Sequence, residues 1–110
     1  NAERSVVYGA RLQAVADYFE NRLLLPGGKL YMVVCQPWRT DGGSGFGTGG
    51  YGDTVREAQA EFVAKSAATR RLVDTSAMER SGVDFVHLTP NGAVNQAAPA
   101  VLAAIASFGL

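Results

Sequence analysis

The residues best suited to chemistry lie near the C-terminal end of the chain, between Ser81 and Gly92. Asp84 precedes His87, the only histidine of the sequence, by three positions. In acyl transfer a histidine takes the proton of the nucleophile and later gives it to the leaving group. A neighbouring carboxylate fixes the imidazole tautomer and stabilises the imidazolium. Because side chains three residues apart in a turn can meet locally, Asp84 and His87 are candidates for the acid–base end of a catalytic triad.

Both residues also have simpler interpretations. An isolated histidine is more often a surface group or a satisfied core group, and an aspartate is a common turn former. The catalytic interpretation is favoured because Asp84 has the right offset and Thr89 and Pro90 follow one residue further on, as N-cap and first residue of a last helix. His87 would then stand in a loop between a strand and a helix, where α/β proteins build active sites.

A second candidate segment is rich in glycine. Residues 37–52 predict a loop of about sixteen residues, and loops of this length inside a compact domain are usually functional or mobile. Gly45, Gly47 and Gly50 match the G-x-G-x-x-G pattern of a dinucleotide-binding βαβ unit, with Asp74 roughly twenty residues further on. A true fingerprint begins directly at the strand end, whereas other residues intervene here. A mobile loop on the substrate side is therefore the favoured interpretation.

Apolar periodicity predicts the elements that would position these residues. We expect an amphipathic helix over residues 5–25 and a strand over residues 30–36, which form an almost continuously apolar run. Cys35 lies in that run and is expected to be a buried core residue, hence a poor nucleophile. The apolar face of the helix comprises Leu12, Val15, Ala16, Phe19 and Leu23.

The second half of the chain predicts another helix, a strand and a last helix. Thr54 and Glu57 match a capping box that would start a helix reaching about Thr69, and a short strand is expected over residues 71–75. Pro99 should kink or split the last helix near Ala98, because proline lacks an N–H and clashes with the preceding turn. The apolar face of this last helix comprises Val94, Ala98, Val101, Leu102, Ile105 and Phe108.

The predicted order is α-β-α-β-α, which indicates a parallel α/β sheet with helices on both faces. Two strands make a poor sheet, since three or more are normally needed, and no strand precedes the first helix. We therefore expect the strand over residues 30–36 to pack against strands of a companion segment or chain. The chain alone should not be a well-folded monomer.

These features resemble the C-terminal half of the SGNH (GDSL-like) hydrolases. That family carries an Asp-x-x-His block followed by a Pro- or Thr-containing turn and a terminal helix. The resemblance implies a flavodoxin-like, three-layer α/β/α sandwich with a parallel sheet, of which residues 1–110 would be the C-terminal portion of a single domain. The matching residues here are Asp84, Val86, His87, Thr89, Pro90 and Gly92.

The resemblance also implies a reaction, namely ester hydrolysis through a serine acyl-enzyme. His87 would be the general base and acid, and Asp84 its orienter. Trp38 and Arg39 would line the substrate pocket, although Trp38 could equally cover the end of the sheet, and Asn1 is a candidate for the oxyanion-hole asparagine. The substrate would be a carbohydrate acetyl ester, a lipid or a small ester, and no metal or organic cofactor is implied.

The nucleophile of that family stands in an N-terminal Gly-Asp-Ser-Leu-like block, which this sequence lacks. The companion segment or chain would therefore supply the catalytic serine. None of the late serines has the required context: Ser44, Ser66, Ser76, Ser81 and Ser107.

The composition argues against several other classes of protein. Ten basic residues balance ten acidic ones, so no basic stripe favours nucleic acid as a partner. One histidine and one cysteine argue against a metal centre, and the apolar runs fall short of the roughly 18 residues of a membrane span. A non-catalytic binding or assembly module, using the glycine-rich loop for contact, is the alternative from a different class.

Overall fold

The computed structural model describes residues 2–23, 26–36, 51–82 and 87–110. In these ranges the chain is of mixed α/β class, with three α-helices and a small parallel sheet of two strands. The elements, in chain order, are α1 (Ala2–Arg22), β1 (Met32–Gln36), α2 (Tyr51–Ala64), β2 (Arg70–Asp74), a π-helical segment (Gly92–Ala97) and α3 (Ala98–Ala106). The predicted element order and the parallel strand direction are thus confirmed.

The two strands pair in register along their whole length, from Met32 opposite Arg70 to Gln36 opposite Asp74. Parallel strands need a long crossover connection, and α2 lies within it. Both carboxyl ends, at Gln36 and Asp74, therefore meet at one edge of the sheet.

The capping box predicted at Thr54 and Glu57 is wrong. Helix α2 already begins at Tyr51, so Thr54 lies inside its first turn and its side chain is buried. The helix also ends at Ala64, earlier than expected. Ser66 and Thr69 then close a turn, since the Thr69 amide donates to the Ser66 carbonyl at 3.0 Å.

The start of the last helix was predicted correctly. The Gly92 amide donates to Thr89 Oγ1 at 3.0 Å, which makes Thr89 the N-cap, and Pro90 is the first helical residue. Near Ala98, where Pro99 is predicted to kink or split the helix, the geometry changes from π-helical to α-helical without a break. The Ala98 amide donates five residues back, to the Ala93 carbonyl, and α-helical geometry resumes there, just before Pro99.

The core is small and lies between α1, α2 and the sheet. It is centred on Ala16, Val34 and Phe62, and the partly buried residues packed on these three are Leu12, Leu30, Met32, Val63 and Leu72. On α2, Ala58 and Phe62 are buried and Val55 is half-buried. Because none of the large described side chains is fully buried, this core is a shallow one.

The apolar face predicted for α1 is only partly correct. Leu12 and Ala16 pack inward, but Val15, Phe19 and Leu23 are exposed by 47%, 41% and 61%. The contact with α2 centres on Ala16. Val15 lies about 100° around the helix from it, and Leu23 lies beyond the last helical residue.

The burial of the C-terminal helix and of Cys35 also differs from the prediction. Val94, Leu102 and Ile105, predicted to face the core, are exposed, whereas Val101 and Phe108 are half-buried. Cys35 is exposed rather than buried. Phe108 packs on Tyr31, with ring centroids 5.0 Å apart, so the C-terminal helix covers the start of β1 and leaves Cys35 uncovered near its end.

Two consecutive arginines tie β2 to a helix on either side of the strand. The Arg70 guanidinium stacks on Phe62 and donates to the Phe62 carbonyl in the last turn of α2, at 2.7 Å. The Arg71 guanidinium stacks on Phe108 and donates to Ser107 Oγ and to the Ser107 carbonyl, at the end of α3. Successive strand side chains point to opposite faces, so each arginine caps the C-terminus of a different helix.

Within the described ranges, no helix combines the length and the apolar character needed to cross a membrane.

Candidate functional site

Of the residues predicted for the site, His87 is described, and its side chain is exposed. Asp84, Trp38, Arg39 and Asn1 lie outside the described residues. The predicted contact between Asp84 and His87 and the two substrate-binding residues therefore stay predictions. The same is true of the mobility expected for residues 41–52, most of which lie outside the described ranges.

His87 belongs to a short antiparallel pairing at the entrance of the last helix. The Ser81 amide donates to the His87 carbonyl at 2.8 Å, and Arg80 forms a bridge with Leu88. The Thr89 amide then donates to the Glu79 carbonyl at 3.2 Å. The backbone on either side of Leu88 is thus held by the segment that follows β2.

Glu79 reinforces this pairing with its side chain. Its Oε1 accepts a hydrogen bond from Thr89 Oγ1 and its Oε2 one from Asn91 Nδ2, both at 2.7 Å. These two donors, Thr89 first, lower the pKa of Glu79, although its carboxylate is exposed. The Glu79 amide donates to Gln96 Oε1 at 2.6 Å, one turn further along the helix.

Gly92 allows this close approach. It is buried, and a Cβ built on it would clash with the carbonyl oxygen of Glu79 and press on Leu88. A glycine at this position therefore lets the first turn of the helix lie directly against the backbone of Glu79.

The ends of the strands connect to the same region through Thr75 and Arg80. Thr75 Oγ1, directly after β2, donates to the carbonyl of Gln36 at 2.7 Å. Arg80 Nη2 donates to the Thr75 carbonyl at 2.6 Å and to Thr75 Oγ1 at 2.8 Å. Partial burial lowers the pKa of Arg80. Because Arg80 also bridges Leu88, these contacts fasten the His87 segment to the carboxyl edge of the sheet.

Asp74 ends β2 and is held by α2. Its two carboxylate oxygens each accept from Arg56 at 3.0 Å, and Oδ1 also accepts from the Ser76 amide at 2.9 Å. The Arg56 guanidinium holds the pKa of Asp74 well below its usual range. A dinucleotide ribose would have to displace Arg56 from Asp74, which weighs against that use of the glycine-rich segment.

The sequence signals missed the residues that hold the site. Gln36 and Thr75 follow from the rule that polar groups at the carboxyl ends of parallel strands matter, once the strand ends are known. Nothing in the local sequence marks Glu79, because its partners lie ten and twelve positions away in the chain.

At the opposite end of the sheet, a shallow pocket lies beside the starts of the strands. Its lining includes Glu20, Asn21, Lys29, Ser66 and Thr69. Since α/β proteins bind ligands at the carboxyl edge, this pocket is at the wrong end for the predicted chemistry. Over the described part of the chain, no three His, Cys, Asp or Glu side chains are grouped so that they could hold a metal ion.

Comparison with protein-family models, with curated proteins and with solved structures finds no match for this chain.

Proposed function

We propose that this chain supplies the histidine and aspartate of a serine ester hydrolase of the SGNH type. His87 would act as general base and acid, and Asp84 would orient it. The observation that carries the proposal is the position of His87, two residues before the N-cap of a helix and fastened through Arg80 to the carboxyl edge of a parallel sheet. This edge is where α/β enzymes assemble catalytic residues.

The hydrogen bonds around His87 support a histidine whose backbone is held in place. The backbone carbonyl of His87 accepts from Ser81, and the following residues are held by Glu79. A general base must be held in a fixed geometry against its nucleophile, and the hydrogen-bonded residues that follow the histidine would supply such a geometry.

The complete domain, in this proposal, is a three-layer α/β/α sandwich with further parallel strands. Two strands alone rarely form a stable sheet, and Val6, Tyr18 and Leu23 of the first helical region are all more than half exposed. The companion segment or chain would cover these side chains, extend the sheet and bring the nucleophilic serine. Its substrate would be an ester, with Trp38 and Arg39 lining the pocket.

The test is steady-state hydrolysis of a short-chain aryl ester by the native protein with its companion. We expect His87→Ala to lower turnover by several orders of magnitude, leaving what binding and the oxyanion hole supply. Asp84→Ala should cost less, because orienting an imidazole is a smaller task than being the base. Wild-type turnover in His87→Ala would refute the proposal.

A matched variant locates the nucleophile. Ser81 lies opposite His87 in the backbone pairing, so it is the serine of this chain to compare. We expect Ser81→Ala to retain turnover and a fluorophosphonate probe to label a serine outside residues 1–110. A label on Ser81 would contradict the external nucleophile.

The second candidate is a non-catalytic assembly module. The exposed apolar side chains favour it, above all Val94, Leu102 and Leu110, which are 65% exposed or more. This module would bind its companion but would not react with the fluorophosphonate probe.

A further inference from the structure

We propose that Glu79 is a positioning residue for His87, holding the entrance of the last helix so that the imidazole keeps a single orientation. The inference rests on the esterase function proposed above. Glu79 would act through the backbone next to the histidine and not on the substrate or the nucleophile.

The carboxylate of Glu79 makes two contacts with the segment that follows His87. Thr89 Oγ1 donates to one oxygen and Asn91 Nδ2 to the other, each at 2.7 Å. A single hydrogen bond would fix a distance and leave rotation free. Two bonds from residues two positions apart fix the orientation of the turn as well.

The backbone of Glu79 holds the same segment. Its carbonyl accepts from the Thr89 amide at 3.2 Å, and two residues later the Ser81 amide donates to the His87 carbonyl at 2.8 Å. Only Leu88 separates His87 from Thr89. A rotation of Thr89 would therefore turn the Cα–Cβ direction of His87.

Glu79 is suited to this task as an anion. Both of its partners are donors, and they stabilise the charged form of the carboxylate. Glutamine in its place would accept from Asn91 through its carbonyl oxygen and could donate to the Thr89 hydroxyl, which also has acceptor capacity. The glutamine variant should thus preserve most of the geometry, whereas alanine removes both contacts.

The experiment compares Glu79→Ala, Glu79→Gln and His87→Ala in the native protein with its companion, using the short-chain aryl ester. Glu61→Ala is the control, because Glu61 is an exposed acid on α2. We expect Glu79→Ala to lower kcat by about 10–100-fold with little change in KM, since misplacing a catalytic group costs turnover rather than binding. Glu79→Gln should recover most of this loss, and Glu61→Ala should match the wild type.

A second measurement needs no activity. His87 is the only histidine of the chain, so selective isotope labelling of this chain isolates its imidazole resonances. We expect Glu79→Ala to move or broaden them and Glu79→Gln to leave them close to the wild-type positions. Equal loss of kcat in both Glu79 variants with a raised KM would indicate general disruption and overturn the proposal.

The two proposals fail in different ways. If His87→Ala is inactive while Glu79→Ala keeps wild-type kcat and imidazole resonances, Glu79 does not position the histidine and the esterase function stands. If His87→Ala keeps wild-type turnover, the esterase function fails, and the positioning role for that reaction fails with it.

Discussion

Gly92 shows how one residue without a side chain determines the packing around a candidate site. Its burial against the carbonyl of Glu79 brings the first turn of the last helix to the segment that follows β2. From the sequence, Gly92 is only part of a turn-like Thr-Pro-Asn-Gly run. Its need to be glycine comes from a residue thirteen positions earlier, which no local pattern reveals.

We expect Gly92→Ala to destabilise the protein by about 1–3 kcal/mol, because the added methyl group would push against backbone rather than a movable side chain. Gly9→Ala is the matched control. Gly9 lies inside α1, and a methyl group on it would meet only open space. Alanine at this position should therefore stabilise the protein by roughly 0.5–1 kcal/mol. Urea unfolding of the native assembly measures both, and equal midpoints for the two variants would contradict this account.

At the scale of the elements, the sequence predicts order and type well. Helices α1 and α2 and both strands lie near their predicted positions, because periodicity and the apolar run at residues 30–36 are strong local signals. The start of α2 was misplaced since Thr54 satisfies a motif that the helix does not use. The exposure of Val15 and Leu102 could not be predicted either, because periodicity identifies the apolar face of a helix but not what covers that face.

Arg70 and Arg71 each stabilise the end of one helix, so replacing each arginine should destabilise a different helix. Arg70 is buried and bonds the Phe62 carbonyl, so Arg70→Met should cost about 1–3 kcal/mol by leaving that carbonyl unpaired. Arg71→Met should cost less, because its hydrogen bonds to Ser107 and to the Ala67 carbonyl are exposed and water can replace them.

Hydrogen exchange distinguishes the two arginine variants. Arg70→Met should speed exchange in the last turn of α2, and Arg71→Met should do so in the last turn of α3. If both variants loosened the same helix, the assignment of one cap to each helix would be wrong.

At the scale of the whole molecule, the apolar core of the described residues is small. Its buried apolar residues are few, and they are Ala16, Val34, Ala58, Phe62 and Val73 among those described. Such a core is small for the conformational entropy that folding must offset.

We therefore expect the isolated chain to give broad, poorly dispersed amide resonances and to bind a hydrophobic dye such as ANS. Addition of the proposed companion should sharpen the spectrum and abolish dye binding, because it would cover the exposed residues of α1 and α3. Sharp, fully dispersed resonances from the pure monomer would refute the expected companion.

The neighbouring arginines of β2 also favour the native register of its pairing with β1. A strand that slipped by one residue would turn every side chain to the other face. Because the two arginines are adjacent, only one of their two native positions would still hold an arginine after such a slip, and Leu72 or Thr69 would occupy the other. A slip of β2 would thus uncap one of the two helices, so the pair of arginines favours the native alignment over its nearest competitors.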